Sequence, residues 1–349
     1  MKTVSLLSAG LLLACTALNS QADNPESMRI AGNFSSNTKH VDLIEKPFFL
    51  GLPEAIGADL QINYNPMDVV NVKAADALRL LRSGTFDVMS VQIGMASRDD
   101  PTFEGIDLIG VSTNMDDLRQ AVDAYRDAFD QRLQQRFKAK VMTLWPFGPQ
   151  VFYCSTPIQS AEDFKGLKIR SFTPSMAALI EHLGGTPITL QFSEVYPALQ
   201  RGVADCAVTS PTSGNTGKWP EVTTHFYPLS VSGSVQGHFM NLDYWNSFSP
   251  ASQEKLLAAF KTMEDQMWEL AKTANTDAIN CNVGQEPCTE GTKFNMTLVP
   301  VSPAAAQAVK DAVSAVVLPL WKESCSRVNE TCVETWNATV GKARGYTIE

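Results

Sequence analysis

Short apolar strands alternate with amphipathic helices in two successive rounds, and this order leaves few folds open to the chain. The first round runs from SMRIAGNF through two helical segments to FDVMSV, and the second runs from LKIRSF through two more to ADCAVTS. Each round has the order strand, helix, strand, helix, strand, which favours a parallel sheet with helices on both faces. The pattern therefore predicts an α/β protein with two lobes of repeated architecture.

A single long helical pattern follows the second round, over residues 249–280. Ser249 is a suitable N-cap, and Pro250 fits the first turn, where a missing N–H is tolerated. At about 1.5 Å per residue, such a helix is longer than one small domain, so we expect it to span both lobes. The residues from Cys281 onward are expected to form a strand and a helix appended to the second lobe.

Residues 1–22 have the pattern of a secretory signal peptide. A positive start is followed by an apolar run over residues 4–18 and by the cleavage signal SQA, so we predict cleavage after Ala22. A membrane anchor is less favoured because the run is short for a bilayer span. Lipoprotein processing at Cys15 is less favoured because Leu13 is a poor residue at its position.

The balance of charge narrows the classes of partner. The chain has 28 Lys and Arg against 37 Asp and Glu, a formal net charge of -9, and no basic stripe. This argues against a nucleic-acid partner. It does not exclude a small anion, because one local cation can outweigh a distant net charge.

Six cysteines follow the signal peptide, and an even number in an exported protein predicts disulfides. Two pairs share the spacing C-x6-C, whereas a zinc site would need tighter spacing or histidine partners. This spacing and the signal peptide together lead us to predict three bonds, the first of which would tie neighbouring strands of the second lobe. The bonds are Cys154–Cys206, Cys281–Cys288 and Cys325–Cys332.

Catalytic and cofactor motifs are lacking in the sequence. It has no G-x-S-x-G, no P-loop, no G-x-G-x-x-G after a strand and no H-E-x-x-H. The four histidines have no metal-ligand spacing, so surface or packing roles are expected for His40, His182, His225 and His238. We therefore expect a binding protein, with no enzymatic activity, no cofactor and no metal.

The segment DFKGLKIRSF places a cation on a strand of this acidic chain. Arg170 lies where the strand ends and a helix begins, which is where α/β proteins form their ligand clefts. A guanidinium there can hold a carboxylate by two hydrogen bonds. The alternative is a surface charge on an edge strand.

Polar and aromatic residues near strand ends are further candidates. The loop after ADCAVTS is either a ligand-binding loop or a solvated connector, and its polar residues are Thr209, Ser210, Thr212, Ser213 and Asn215. Aromatic side chains at such positions belong to a core more often than to a ligand platform. Those of interest are Trp145, Phe147, Phe172, Phe192 and Trp219.

Five sequence blocks occur in a specific order: LRLLRSGTFDVMSV, DFKGLKIRSF, LGGTPITLQFSEVYPALQRGVADCAV, PEVTTHFY and NLDYWNSFSPASQEKLLAAF. In this order they resemble the extracytoplasmic substrate-binding subunit of tripartite ATP-independent periplasmic (TRAP) transporters. The resemblance covers about residues 28–279. The tail, with CNVGQEPC and CSRVNETC, is similar to a cysteine-bearing branch of the same family.

The resemblance implies a periplasmic solute-binding protein fold, with two α/β lobes that exchange strands and a long helix that spans both. On this fold we expect lobe I at residues 23–147 plus 236–275 and lobe II at residues 148–235 plus 276–349. The implied function is capture of an organic acid and its delivery to the small and large TRAP membrane subunits, by a monomer. The alternatives are an exported ligand-sensing module and an exported α/β enzyme.

The resemblance also assigns a role to the motif G-x-K-x-R, which ends here at Arg170. In the family this arginine holds the substrate carboxylate, so Arg170 is expected to anchor an anionic ligand. The complete set of predicted ligand-binding residues is Arg170, Gln150, Asn33, Gln92, Trp145, Phe147, Phe172, Phe192, Thr209, Ser210, Asn215 and Trp219.

The chain departs from well-known members of the family within this set. Some members have a second cleft arginine where this chain has Gln150, and some have an asparagine where it has Thr209 and Ser210. One strong cation fits a monocarboxylate better than a compact dicarboxylate. Polar residues of lobe I, such as Asn33 and Gln92, could compensate for the missing arginine.

Overall fold

The computed structural model describes residues 24–349, so the predicted signal peptide, its cleavage site and Cys15 lie outside the described residues. The strands, in chain order, are β1 (Ser27–Gly32), β2 (Gln61–Pro66), β3 (Val88–Gln92), β4 (Ala139–Pro146), β5 (Val151–Cys154), β6 (Lys168–Ser171), β7 (Thr186–Thr189), β8 (Cys206–Thr209), β9 (His225–Tyr227), β10 (Val235–Asn241) and β11 (Thr297–Leu298).

Helices connect and cover these strands. The α-helices, in chain order, are α1 (Thr38–His40), α2 (Lys46–Ile56), α3 (Ala77–Arg82), α4 (Ile93–Ala96), α5 (Met115–Phe137), α6 (Pro174–His182), α7 (Phe192–Gln200), α8 (Pro211–Thr216), α9 (Leu242–Asn246), α10 (Pro250–Val283), α11 (Pro303–Ala312), α12 (Leu318–Ser326), α13 (Cys332–Trp336) and α14 (Lys342–Arg344). Short 3₁₀ segments are Ala74–Asp76, Pro101–Ile106, Ala161–Phe164 and Trp219–Glu221, and π-helical turns are Val41–Glu45, Val313–Val317 and Asn337–Gly341.

The strands form two sheets, one in each lobe. The sheet of lobe I has the order β2-β1-β3-β10-β4, and that of lobe II has the order β11-β9-β5-β8-β6-β7. One interior strand of each sheet is antiparallel to both of its neighbours, namely β10 between β3 and β4 and β5 between β8 and β9. Each is the first strand that the chain forms after crossing from the other lobe. The predicted exchange of strands between two α/β lobes is therefore confirmed.

Two linkers carry the chain between the lobes and run side by side. The first linker (residues 147–150) joins β4 to β5, and the second linker (residues 228–234) joins β9 to β10. The backbone N–H of Gln150 donates to the carbonyl of Ser232 at 2.8 Å. Gly148 has a φ of 114°, a conformation that side chains rarely adopt. The paired linkers form a narrow connection at which the lobes can rotate.

The predicted long helix is α10, which packs against both lobes. Ser249 caps its start, and Gly284 ends it in the left-handed conformation. In the last third of this helix, Asn275 donates to the carbonyl of Phe147 in the first linker at 2.9 Å. The same side chain accepts from the backbone N–H of Thr212, at the start of α8 in lobe II, at 3.1 Å. One asparagine of α10 therefore contacts both the linker region and lobe II.

The three predicted disulfides are confirmed. Cys154 and Cys206 are paired residues on β5 and β8, so their bond ties neighbouring strands of lobe II. Cys281–Cys288 closes the loop at the end of α10, and Cys325–Cys332 joins α12 to α13.

The chain beyond α10 forms more structure than the single strand and helix expected from the sequence. It contributes β11 and the four helices α11 to α14. The indole N–H groups of Trp321 and Trp336 donate to the carbonyls of Pro101 and Gly105 in lobe I, each at 2.8 Å. Helices α11 and α12 pack against α6 of lobe II. The tail thus contacts both lobes, and the lobe boundaries stay a prediction.

Candidate ligand-binding site

A cavity of about 390 Å³, part of it open to solvent, lies between the two sheets beside the linkers. Its walls form where parallel strands end, after β1 and β3 in lobe I and at β6 and β8 in lobe II. Open α/β sheets bind their ligands at such strand ends. The lining residues are Asn33, Phe34, Asn37, Gln92, Met95, Phe147, Gln150, Arg170, Phe172, Phe192, Thr209, Ser213, Ser234 and Gln236.

Arg170 is a buried cation in this wall, with 2% of its surface exposed. Its Nε donates to the carbonyl of Leu190 at 3.2 Å, and its Nη1 donates to the carbonyl of Val208 at 2.7 Å. The guanidinium lies 4.7 Å from the ring centre of Phe172 and 5.9 Å from that of Trp219. These contacts fix the side chain at the end of β6 and leave Nη2 for another partner.

The charge of Arg170 is not balanced by a neighbouring acid. Among the described residues no carboxylate lies within ion-pair distance of it, and the attraction of Glu194 opposes the effect of burial only in part. Burial lowers the pKa of Arg170 from 12.5 to about 9, because the charged form loses its hydration. The guanidinium remains protonated at neutral pH, so the cavity contains a desolvated positive charge.

Two asparagines form a hydrogen-bonded pair on the wall of lobe I. The backbone N–H of Phe34 donates to Asn33 Oδ1 at 2.7 Å, and Asn37 Nδ2 donates to the same oxygen at 3.2 Å. Asn33 Nδ2 and Asn37 Oδ1 are buried and have no hydrogen-bond partner among residues 24–349. The pair therefore keeps one donor and one acceptor without a partner, on two residues that line the cavity.

Behind this pair, Glu45 is a fully buried carboxylate. It accepts from the backbone N–H of Asn33 at 2.9 Å and from the Tyr64 hydroxyl at 2.9 Å, and it lies 2.8 Å from Nε2 of His238. Burial raises the pKa of Glu45, but the contacts with His238, Asn33 and Tyr64 outweigh it and hold the pKa below its usual value. Glu45 thus keeps a negative charge behind the wall of lobe I, and its hydrogen bond fixes the backbone of Asn33.

Glutamine side chains continue the polar wall towards the second linker. Gln92 caps α4 by accepting from the backbone N–H of Met95 at 2.6 Å, and its Nε2 donates to Ser234 Oγ at 3.2 Å. Gln236 Nε2 donates to Ser90 Oγ at 2.8 Å, and Gln236 Oε1 is buried without a partner in the described chain. Contacts within the lining, such as that of Gln92 with Ser234, and contacts behind it, such as that of Gln236 with Ser90, hold this wall in place.

The two lobes touch around the cavity. The rings of Phe34 in lobe I and Phe192 in lobe II have centres 6.1 Å apart. On one side of them, Glu104 of lobe I accepts from the backbone N–H and the hydroxyl of Ser175, at 2.9 and 2.6 Å, at the start of α6 in lobe II. The structure is thus that of the closed form.

Eight of the twelve predicted ligand-binding residues line the cavity. They are Arg170, Gln150, Asn33, Gln92, Phe147, Phe172, Phe192 and Thr209. That they bind a ligand stays a prediction.

The other four predicted residues do not line the cavity. Trp145 is fully buried behind it, stacked on His40 with ring centres 5.3 Å apart, and Trp219 is stacked behind Phe192 at 5.3 Å. Ser210 caps α8, and Asn215 donates to Asn282 and to the carbonyl of Thr292. Their residue types suited a ligand site, but their side chains support the wall from behind or hold neighbouring segments.

Six lining residues lie outside the predicted set: Phe34, Asn37, Met95, Ser213, Ser234 and Gln236, of which only Ser213 had been named as a polar residue of a candidate loop. Asn37 lies four residues after Asn33, and the turn at residues 34–37 between β1 and α1 brings the two side chains together. That spacing was the available signal. Ser234 and Gln236 reach the cavity only because β10 returns to lobe I.

The described residues contain no group of three or more His, Cys, Asp and Glu placed to hold a metal ion. Over the same residues, none of the helices combines the length and apolar character needed to cross a bilayer.

The chain matches one protein-family model, that of the bacterial extracellular solute-binding proteins of family 7, over residues 35–324. It is 24% identical over 215 residues to the sialic acid-binding periplasmic protein SiaP of Vibrio cholerae, which is 58% of this chain and 64% of that protein. It is 29% identical over 151 residues to the C4-dicarboxylate-binding periplasmic protein DctP of Rhodobacter capsulatus, which is 42% of this chain and 45% of the relative. The chain thus spans between about half and just under two thirds of these relatives.

Solved structures of similar fold cover nearly the whole chain. The Bordetella pertussis solute receptor DctP7, which binds pyroglutamic acid, has a TM-score of 0.77 at 18% identity, covering 90% of this chain and 100% of that one. A TRAP solute-binding protein from Desulfovibrio salexigens with bound orotic acid has a TM-score of 0.79 at 15% identity, covering 91% and 100%. One from Shewanella oneidensis with bound succinate has a TM-score of 0.75 at 16% identity, covering 92% and 99%. These likenesses confirm the two-lobed fold.

Proposed function

Because the chain belongs to family 7 of the bacterial extracellular solute-binding proteins, we propose that it captures an organic acid in the periplasm and delivers it to TRAP-type membrane subunits. In this proposal the protein is a monomeric receptor and performs no chemistry on its ligand. The signal-peptide pattern of residues 1–22 supports a location outside the cytoplasm.

The observation that carries the proposal is the unbalanced charge of Arg170. A buried cation without a counter-charge is costly, and a bound carboxylate would supply both the negative charge and the missing hydrogen-bond acceptor. The position of Arg170 at the end of β6, between two lobes that touch, suits a ligand that is enclosed on closure. Bidentate contact with a planar carboxylate is the recognition that a guanidinium favours.

The ligands of the similar structures support the same class of molecule. Pyroglutamic acid, orotic acid and succinate, which are bound by three of those proteins, all carry a carboxylate. The sequence identities of 15 to 18% do not select one of these acids for this chain.

The test is calorimetric titration of purified protein with a panel of organic acids, chosen after mass spectrometry of any acid that copurifies. Arg170→Ala leaves the ligand carboxylate enclosed without its partner, which costs about 2–5 kcal/mol, or about thirtyfold to several thousandfold in affinity. Arg170→Lys restores binding only in part, because an ammonium cannot make the planar two-pronged contact. Gln150→Ala costs less than Arg170→Ala, since a neutral amide makes a weaker hydrogen bond.

Arg201→Ala is the matched control, because Arg201 is an exposed arginine of the same lobe. It should bind the acid as wild type does. If folded Arg170→Ala binds within about threefold of wild type, the anchoring role is wrong. If the protein converts the acid into a product, it is an enzyme and the receptor function is wrong.

A further inference from the structure

We propose that the ligand is a monocarboxylate whose other end is an uncharged amide, one that offers a hydrogen-bond donor and an acceptor side by side. This inference rests on the proposed function, since it takes Arg170 as the site of the carboxylate. It concerns the wall opposite Arg170, where Asn33 and Asn37 would form hydrogen bonds with the rest of the ligand.

The charges around the cavity exclude two kinds of second charged group on the ligand, namely a carboxylate and an ammonium. Its lining contains one cation, Arg170, and no Asp, Glu or Lys among the described residues. A second carboxylate would have no cation to meet, and it would approach the negative charge of Glu45 behind Asn33. A ligand ammonium would meet no acidic residue in the lining. The carboxylate of Glu45 lies behind the wall, and its oxygens already contact Asn33, Tyr64 and His238. The ligand therefore carries a single negative charge.

The orientation of the asparagine pair follows from the backbone. The N–H of Phe34 can only donate, so the Asn33 atom that it contacts at 2.7 Å is the oxygen. That oxygen also accepts at 3.2 Å from Asn37, so the contacting atom of Asn37 is its nitrogen. Neither amide can be flipped without placing two donors or two acceptors against each other. The free atoms are hence a donor on Asn33 and an acceptor on Asn37.

The two free atoms require a partner with both hydrogen-bonding functions. Both are buried, and a buried polar atom without a partner destabilises the protein because it has lost its hydrogen bonds to water. A hydroxyl-free, purely apolar acid would satisfy neither atom. An amide C=O can accept from Asn33 Nδ2 while its N–H donates to Asn37 Oδ1. A lactam or ureide fixes these two groups on the same side, which matches a rigid wall.

Aromatic rings from both lobes limit the thickness of the ligand. Phe34 and Phe192 face each other across the lobes, and Phe147 and Phe172 line the cavity beside them. Such rings favour a flat, compact molecule over a branched one. A small cyclic amide acid fits the charge, the hydrogen bonding and the shape together.

The test compares acids that differ in one group. Calorimetry on wild type uses pyroglutamate and orotate as monocarboxylates whose ring amides hold C=O and N–H side by side. Three matched probes lack the amide. Cyclopentanecarboxylate keeps the ring and charge of pyroglutamate. Proline adds an ammonium, and succinate adds a second carboxylate. We expect the tightest amide acid to bind at least tenfold more tightly than each of the three matched probes.

Two variants assign this preference to the asparagine pair. Asn33→Asp replaces the free donor by a charged acceptor, and Asn37→Ala removes the free acceptor. Each should weaken the tightest amide acid at least tenfold while changing the affinity for cyclopentanecarboxylate much less. Asn65→Asp, an exposed change of the same charge on β2, should bind as wild type does. Thermal melts identify folded variants, and one folded variant of the pair is enough for the test.

The outcomes separate this inference from the proposed function. If succinate or cyclopentanecarboxylate binds as tightly as every amide acid, and Arg170→Ala abolishes that binding, the amide preference is wrong and the carboxylate anchor stands. If the amide acid binds equally well to wild type and to the folded asparagine variants, the role of the pair is wrong. If none of these probes binds, the amide proposal fails, and if the acid that binds most tightly binds equally well to folded Arg170→Ala, both proposals fail.

Discussion

Arg170 is buried and Asp107 is partly buried, and their surroundings affect these two charged groups in different ways. Arg170 is held by carbonyl oxygens and lacks an anion. Asp107 accepts from backbone N–H groups of the second linker, from Gly233 at 3.5 Å and from Val235 at 3.3 Å. Burial nevertheless raises the pKa of Asp107 from 3.8 to about 7, since these long hydrogen bonds offset only part of the lost hydration.

Asp107 should therefore make stability depend on pH near neutrality. A pKa raised by folding means that the folded protein holds the proton more tightly, so the stabilisation is complete below about pH 4 and is lost as pH rises through about 7. Asp107→Asn stays neutral at every pH. Between pH 5 and pH 8, we expect the free energy of unfolding of wild type to fall by about 2 kcal/mol more than that of the variant.

Urea denaturation of both proteins at the two pH values measures this difference. Burial also raises the pKa of Glu104, which acts in the same direction in both proteins and cancels in the comparison. Parallel pH profiles for wild type and Asp107→Asn would contradict the raised pKa.

Individual residues of the site could be predicted from the sequence where a motif or an isolated charge distinguished them. Arg170 stood out as a cation at a strand end, and its place in the cavity follows from β6. The sequence could not separate Phe172, which lines the cavity, from Trp219, which lies behind Phe192, because both are aromatic residues near strand ends. A ring can lie on the cavity side of the wall or behind it. Tertiary packing decides between these positions, and a local sequence pattern does not determine that packing.

Among the elements, long ones with clear caps were easier to predict than short ones. Ser249 and Pro250 marked the start of α10, and a regular apolar stripe carried it across the lobes. Three of the four tail helices were missed because the tail helices are short and depend on contacts distant in sequence, such as that of Trp336 with Gly105. Isolated helices of this length are marginal, so propensity alone does not reveal them.

The disulfides should stabilise the fold unequally. Cys154–Cys206 spans 52 residues, whereas Cys281–Cys288 and Cys325–Cys332 each span 7. In the chain-entropy model, a bond restrains the unfolded chain more when its loop is longer, which gives about 4 kcal/mol for the first and about 2.5 kcal/mol for each of the others.

Urea denaturation of double Cys→Ala variants under non-reducing conditions tests this order. Loss of Cys154–Cys206 should lower the free energy of unfolding most. An equal or larger loss for Cys325–Cys332 would show that strain or residual structure, not loop entropy, dominates. Peptide mapping without reductant supplies the control that the remaining bonds stay paired.

The molecule as a whole has the contacts of a closed receptor. Glu104 meets Ser175 across the lobes in a buried position, and Lys39 forms an ion pair with Glu290 at 2.9 Å on the surface. The two-lobed architecture followed from the repeated strand and helix pattern. The closing contacts did not, because Lys39 and Glu290 lie 251 residues apart in sequence.

Closure should be a hinge motion at the paired linkers. We expect small-angle scattering to give a smaller radius of gyration when the bound acid saturates the protein. Arg170→Ala at the same acid concentration is the control, and it should keep the larger value. An unchanged radius of gyration for wild type at saturation would contradict the hinge motion.

The return of β10 to lobe I also has a consequence for how an exported chain matures. A polypeptide that emerges from a translocation channel does so from its N-terminus, and β10 is the strand that joins β3 to β4. Until residue 241 has emerged, the sheet of lobe I is in two pieces with open strand edges. The strands β5 to β9 of lobe II are contiguous over residues 151–227 and can pair earlier. The middle of the sequence can thus form most of the lobe II sheet before the lobe I sheet is complete, and the edges of β3 and β4 that pair with β10 stay open in the interval.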